Sequence, residues 1–345
     1  MNRKNINIIL FLFSLQIGLF AQQDIHHTQY LNMPVAFNPA TNGLFNGAFR
    51  FLGNYRTQWN AFGDPFTSMY FSADGSFFKG KISNGFMGGG LQFFNDITGD
   101  SRFRSTGSYA SFAYHFDLTG GSELSHLSIG FQAGTIQRSL SFLNLTWDNQ
   151  WNGNNFNQNI DPNEALPTAS KTLFDLNAGI NWSYQTSDEL HIFSAGIATH
   201  HINTGDISMR SIQENMDRRW LFHANAEIGF KQSIAAIVPS FIYSLQGPNK
   251  YFNFGTELKL KIQERTRITN YRNEFSISFG PYYRSNDALL AMLRIHWAGL
   301  VFGFSYDYNV SALKAVTNGY GAMEFTLGFK TAFGANKRPH KVKFL

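Results

Sequence analysis

From about residue 47 to residue 333, apolar and polar side chains alternate with a period of two in one segment after another. Over 222–231 every even position is apolar and every odd one is polar or glycine. Over 252–261, Phe252, Phe254, Leu258 and Leu260 fall on one face and Asn253, Glu257, Lys259 and Lys261 on the other. Met323, Phe325, Leu327 and Phe329 are set against Glu324, Thr326, Gly328 and Lys330, and stretches 174–184, 275–279 and 300–308 behave alike. This period marks strands with two unlike faces. It predicts strands beginning near residues 47, 67, 85, 103, 126, 173, 190, 219, 234, 251, 273, 287, 300 and 320.

A soluble sandwich alternates too, so the choice rests on length, ends and connections. The strands run about ten residues, the tilted crossing of a bilayer and nearly twice a soluble strand. Tyr and Trp gather at their ends (Tyr55, Trp59, Trp182, Tyr184, Trp220, Tyr251, Tyr282, Tyr283, Trp297, Tyr306, Tyr308), as interfacial girdles require. The odd-numbered connections include the three longest, 139–172, 202–218 and 309–319, whereas 79–84, 186–189, 232–233 and 298–299 among the even ones are tight. Long loops on one side and short turns on the other describe an all-β transmembrane antiparallel β-barrel of about 14 strands with both termini periplasmic. Connection 263–272 is longer than that rule wants and leaves the count open by two. Closure also removes sheet edges, which lipid cannot satisfy.

Composition agrees. Aromatic residues make up 16 %, with 36 Phe and 14 Tyr, and charged residues only 15 %, against about a quarter in soluble domains. A mean hydropathy of −0.22 excludes a helical membrane protein, but suits strands that are greasy on one face only. With no cysteine, disulfides, zinc–thiolate sites and thiol nucleophiles are absent together.

Residues 1–21 read as a signal peptide: Arg3 and Lys4 are followed by an apolar run over 8–20, with Ala21 at the cleavage site. The run is short of the ~20 residues of a membrane anchor and Gln16 interrupts it. Loss of Arg3 and Lys4 lowers the formal charge from +5 to +3, too slight to argue for nucleic acid. Residues 22–46 are polar and do not alternate. They read as a flexible leader or as a plug folded into the lumen, since about fourteen strands enclose more than their side chains fill. Residues 47–333 form the barrel, and residues 334–345 a basic periplasmic tail.

The segment Gln29-Tyr30-Leu31-Asn32-Met33-Pro34-Val35-Ala36-Phe37-Asn38-Pro39-Ala40-Thr41-Asn42-Gly43 resembles the opening of the PorP/SprF family of type IX secretion membrane proteins. The match continues in order through Asn54-Tyr55-Arg56-Thr57-Gln58-Trp59, Gly88-Gly89-Gly90-Leu91, Gly280-Pro281-Tyr282-Tyr283-Arg284, Phe304-Ser305-Tyr306-Asp307-Tyr308 and Gly321-Ala322-Met323-Glu324-Phe325. Each motif alone is weak; their order and spacing are specific. The resemblance implies an integral outer-membrane partner of the type IX secretion and gliding machinery of Bacteroidota. Members serve secretion or surface retention of large adhesins, often through the adhesin's C-terminal domain. The implied partners are that adhesin, periplasmic and outer-membrane secretion components and the lipid bilayer, with no cofactor. The family carries no residue-level site over to this chain.

Tyr30, Asn38, Pro39 and Gly43 are therefore the candidates for holding a plug, with Asn38-Pro39 as its turn. Arg56, Trp59 and Asp307 are candidate lumen or rim contacts, and Trp147 and Trp151 candidates in the longest loop. The bland reading of Arg56 and Trp59 is a lumen arginine and an interfacial anchor. The lumen-side charges Arg50, Arg56, Asp175, Glu227, Lys231, Glu257, Lys259, Glu274, Arg294, Asp307, Glu324 and Lys330 mix both signs, so mutual pairing is expected rather than ion selectivity. His26-His27 and His200-His201 suggest metal, but neighbours on a strand point to opposite faces. No G-x-S-x-G, HExxH or phosphate-binding loop is present, which argues against an enzyme. The rival reading is a FadL-like or porin-like barrel passing small solutes.

Overall fold

The computed structural model describes residues 24–331 except 60–63, 100, 120–123, 142–144, 158, 162, 164–168, 210–212, 264–273 and 313. The signal peptide and the basic tail lie outside the described residues. The strands are β1 (Phe49–Gln58), β2 (Phe66–Ile82), β3 (Gly85–Thr98), β4 (Phe103–Asp117), β5 (Leu124–Ser139), β6 (Ser170–Gln185) and β7 (His191–His200). They continue as β8 (Arg219–Gly229), β9 (Ala235–Gln246), β10 (Asn249–Gln263), β11 (Phe275–Arg284), β12 (Ala288–Trp297), β13 (Leu300–Asn309) and β14 (Tyr320–Lys330). Consecutive strands pair antiparallel, and β1 pairs with β14 to close the ring. Every predicted strand start lies within three residues of the observed one, because period two is a local property of each segment. The long 263–272 connection joins neighbouring strands, so the count of fourteen stands.

The partition of side chains is inside-out relative to a soluble domain. The most exposed large side chains sit mid-strand, with Leu91 at 65 % and Phe131 at 62 %, while Arg50, Asp74, Glu257 and Glu324 are buried. Hydrocarbon faces outward and charge faces inward, as a lipid solvent demands. No helix among the described residues is long and apolar enough to cross a membrane. Strands run from 10 residues in β1 to 17 in β2.

The strand-end aromatics divide by parity. Trp182, Trp220, Trp297, Tyr55 and Tyr308 are outward and exposed, whereas Tyr251 and Tyr282 face inward and are buried, a departure from the expected girdle. Lys231 and Glu274 also differ from expectation: both lie just outside strands and are exposed. We call the end bearing connections 140–169 and 201–218 the loop end. The opposite end, with two-residue turns at 83–84 and 298–299, is the turn end. Ala298 (φ 52°) and Gly299 (φ 89°) both take the left-handed conformation that lets a two-residue turn follow the strand twist.

Two ladders are interrupted at mid-height. Between β8 and β9 pairing stops after Asn225–Ser240 and resumes at Ile228–Ile237. Between β10 and β11 it stops after Gly255–Tyr282 and resumes at Leu258–Phe279. Pro239 and Pro281 fall in these gaps, and neither has an N–H to give.

Candidate functional site within the barrel

Residues 24–48 run inside the ring and touch it on all sides. Asp24 lies at the loop end, its N–H donating to Gln246 (3.0 Å) and its carboxylate against His201 (2.7 Å) and Arg219 (3.5 Å). The chain then descends, and at the turn end the Ala48 N–H donates to the Thr331 carbonyl (3.3 Å). Asp24 and Lys330 are thus at opposite ends of the barrel, because the leading segment is threaded through the lumen. The termini themselves lie outside the described residues.

Its first half is held by charge. The Thr28 and Gln29 N–H groups donate to the two oxygens of Glu324 (2.7 and 3.1 Å), and the Thr28 hydroxyl donates to Asp307 (2.9 Å). Arg56 bridges Asp307 (2.9 Å) and Glu324 (3.1 Å), and Arg284 reaches the same Asp307 oxygen (2.7 Å). All four charged side chains are buried. Two guanidinium groups against two carboxylates, each with further hydrogen bonds, satisfy the condition for charge in a dry interior. Tyr30 follows, its hydroxyl 2.8 Å from Ser240 in a chain running through Tyr282 and Glu257 to Arg294.

Its second half is held by shape. A single helical turn, α1 (Pro34–Phe37), leads into a 3-10 turn at Pro39–Thr41. Pro39 opens that turn, where no N–H is needed, and the Asn38 side chain accepts from the Ala40 N–H (2.9 Å) as an N-cap. The Asn38 amide also donates to the Ile180 carbonyl (3.0 Å) and lies 3.0 Å from His223 Nε2. Here the segment lies directly on glycines of the wall. A Cβ on Gly130 would come 2.3 Å from Ala40 N, on Gly88 1.9 Å from Asn42 O, and on Gly179 2.1 Å from Asn38 Oδ1. Gly43 ends the descent with φ +70°, a conformation that favours glycine. Its N–H donates to Asp74 (2.8 Å), which Arg50 grips with two bonds of 2.8 Å.

Titration follows the geometry. Burial pushes His201 down, but the Asp24 and Asp175 carboxylates outweigh it and hold the imidazole up at about 9. Burial would raise the Asp24 carboxyl; His201 and Arg219 overcome this and hold it well below the usual range.

Tyr30, Asn38, Pro39, Gly43, Arg56 and Asp307 therefore converge on one inner assembly. Trp59, Trp147 and Trp151 do not. Trp59 leaves β1 at the loop end with its ring 4.7 Å from Phe66. Trp147 and Trp151 flank a 3-10 turn, Asp148–Gln150, in the longest loop. Trp151 is bridged to Phe156, the rings 4.9 Å apart and both exposed. Asp24, Asp74, His201 and Arg284 were not foreseen in these roles. An inward strand parity marks Asp74 and Arg284, but nothing local marks Asp24 or His201. The expected pairing of lumen charge extends to Glu227 with Lys259 and Lys261, each at 2.7 Å.

A closed fourteen-strand ring with ion pairs inside and hydrocarbon outside defines an integral outer-membrane β-barrel. The chain belongs to the family of type IX secretion system membrane proteins PorP/SprF, whose model matches residues 19–329, and is a type IX secretion outer-membrane component. Among solved structures it is similar to CdiB from Escherichia coli, with TM-score 0.42, 10 % identity, 81 % of this chain and 62 % of that one covered. It thus spans less than two thirds of that structure. Omp33 of Acinetobacter baumannii gives TM-score 0.40 at 7 % identity over 84 % of this chain and all (100 %) of that one. A deletion mutant of the TodX monoaromatic hydrocarbon channel gives 0.46 at 8 % identity over 88 % and 94 %. No curated protein matches the chain.

Proposed function

We propose that this chain is a non-enzymatic component of the type IX secretion and gliding machinery. It helps to secrete a large adhesin, or holds it at the cell surface, through the adhesin's C-terminal domain. The observation that carries this reading is the family match, which spans the inner segment and nearly the whole barrel. In this reading residues 22–46 act as a fixed plug, supported by the ion pairs around Thr28 and the glycine contacts around Asn38. The loop end is the outer face, where connections 140–169 and 201–218 receive the exported protein. Trp151 and Phe156 suit that task, being exposed aromatics on an ordered hairpin rather than a solvated coil. The secretion machinery docks at the turn end.

The test is purification of a tagged chain from native outer membranes in mild detergent, followed by mass spectrometry of what remains bound. One large adhesin, or its C-terminal domain, is the expected companion. If the barrel comes out alone while the adhesin is verifiably expressed, stable holding is wrong. Conductance in planar bilayers then decides for the solute-transport reading.

A further inference from the structure

The inner segment does not fill the lumen evenly. Against β7, β8 and β9 it leaves a cavity of about 70 Å³. Leu31, Pro34, Phe37 and Leu44 line it from the segment, and Ile192, Ala224 and Ile242 from the wall. No carboxylate, lysine or arginine is among its lining residues, although the opposite side of the same lumen is built from ion pairs. Its polar groups are partly committed: His223 contacts Asn38, the Ser194 hydroxyl donates to Asn181 (3.1 Å), Thr41 bonds the Asn38 carbonyl and the Tyr30 hydroxyl meets Ser240, while Asn225 lines the cavity at its wall side.

This uncharged pocket reaches the barrel wall. Leu221 is inward and buried, so by alternation Ala224 faces outward, yet it lines the cavity. One residue past Asn225 the β8–β9 ladder is interrupted beside Pro239. The wall is thin at Ala224, which stays paired with Ala195 of β7 and Phe241 of β9, and the nearest break in it is the stretch at Ala226 and Glu227, unpaired on the β9 side.

We propose that this cavity receives the end of an aliphatic chain belonging to a bilayer lipid, entering past Ala224 beside the β8–β9 interruption. Its apolar lining rewards burial of methylene groups at roughly 0.8 kcal/mol each. The volume, about half the roughly 150 Å³ of an engineered cavity that binds benzene, suits a chain end and not a whole lipid.

The test uses the purified full chain in nanodiscs of phosphatidylethanolamine carrying a diazirine at the tip of one acyl chain. After irradiation, adducts are mapped by peptide mass spectrometry. Adducts on Leu44, Ile192 or Ile242 are expected, and their loss in Ala224→Trp, which blocks the passage, and in Ser194→Trp, which fills the cavity. Heat-modifiable migration verifies that each variant is folded, and a variant that fails this check leaves the decision to the other and to the wild-type map. Adducts confined to outward residues such as Phe222, Ile237 and Phe241, or inward adducts unchanged in a folded variant, would overturn the proposal. Labelling of the cavity by a free diazirine fatty acid alone would equally overturn a bilayer source.

Discussion

The two halves of the inner segment are held by opposite means. Residues 24–32 are gripped by side chains that carry charge: His201 and Arg219 on Asp24, and Glu324 and Asp307 on Thr28. Residues 38–43 lie against bare backbone, with Gly88, Gly130 and Gly179 clearing space that no other residue type leaves. An electrostatic grip is adjustable, since its strength depends on protonation and on the geometry of long side chains. A steric seat is all-or-none, because close-packed backbone has nowhere to move. The segment is therefore anchored at its lower half and tuned at its upper half.

The largest effect should come from the steric half. Gly130→Val or Gly88→Val puts a branched side chain where a Cβ already falls 2.3 or 1.9 Å from the segment. Either variant is expected to lose the folded, heat-modifiable band or to retain it with the segment unseated. Planar-bilayer conductance separates the two. Wild-type behaviour in both would mean the glycine seat does not matter.

Next comes the charged half. Asp307→Ala removes the carboxylate shared by Arg56 and Arg284, leaving Arg56 only Glu324 and Arg284 only Asp287, and should destabilise the barrel by about 3 kcal/mol, read as a lower unfolding midpoint in urea. Because removal of one partner costs more than the pair is worth, the double change Asp307→Ala with Arg284→Met should recover part of the loss. Asn38→Ala, which removes a cap and the bond to Ile180, should cost about 1–2 kcal/mol in the same measurement.

The pH dependence is smaller and diagnostic. His201 is raised from its ordinary 6.5 to about 9 on folding, so its contribution is full below pH 6.5 and disappears as pH rises through 9. Asp24 is lowered instead, so its contribution persists above the ordinary carboxylate range and fails only in strong acid. The midpoint is therefore expected to fall more steeply between pH 6.5 and about 9 in the parent than in His201→Gln. Smallest of all, Trp151→Ala should change stability by less than about 0.5 kcal/mol while lowering recovery of the adhesin that the proposed function expects. Unchanged recovery would remove the loop hairpin from the recognition surface.

Legibility in the sequence followed the range of the interaction involved. Strand positions were readable because alternation is written residue by residue, as in 222–231. The inner segment was readable as a stretch that does not alternate, and Asn38-Pro39 as its turn. What escaped were contacts made across the ring. Gly88 to Gly90 stood out as a motif, but their use as clearance for Asn42 depends on a segment some 46 residues earlier in the chain returning to them. His201 looked like half of a histidine pair; its partners Asp24 and Asp175 are 177 and 26 residues away. Tyr251 and Tyr282 were read as girdle aromatics because both lie near strand ends, where only parity separates lipid from lumen.

The seam between β1 and β14 joins the two extremes of the barrel, with Arg50 opposite Lys330. Such a pairing spans nearly the whole chain, and contacts of that range carry the largest loop-closure cost. The segment lies inside the ring this seam completes, joined to β1 at the turn end. It must therefore be laid along the nascent sheet before the seam zips, or be drawn through a finished hoop. The first order needs no passage through a closed aperture, which makes the segment a lining installed during construction and the seam the clasp that traps it.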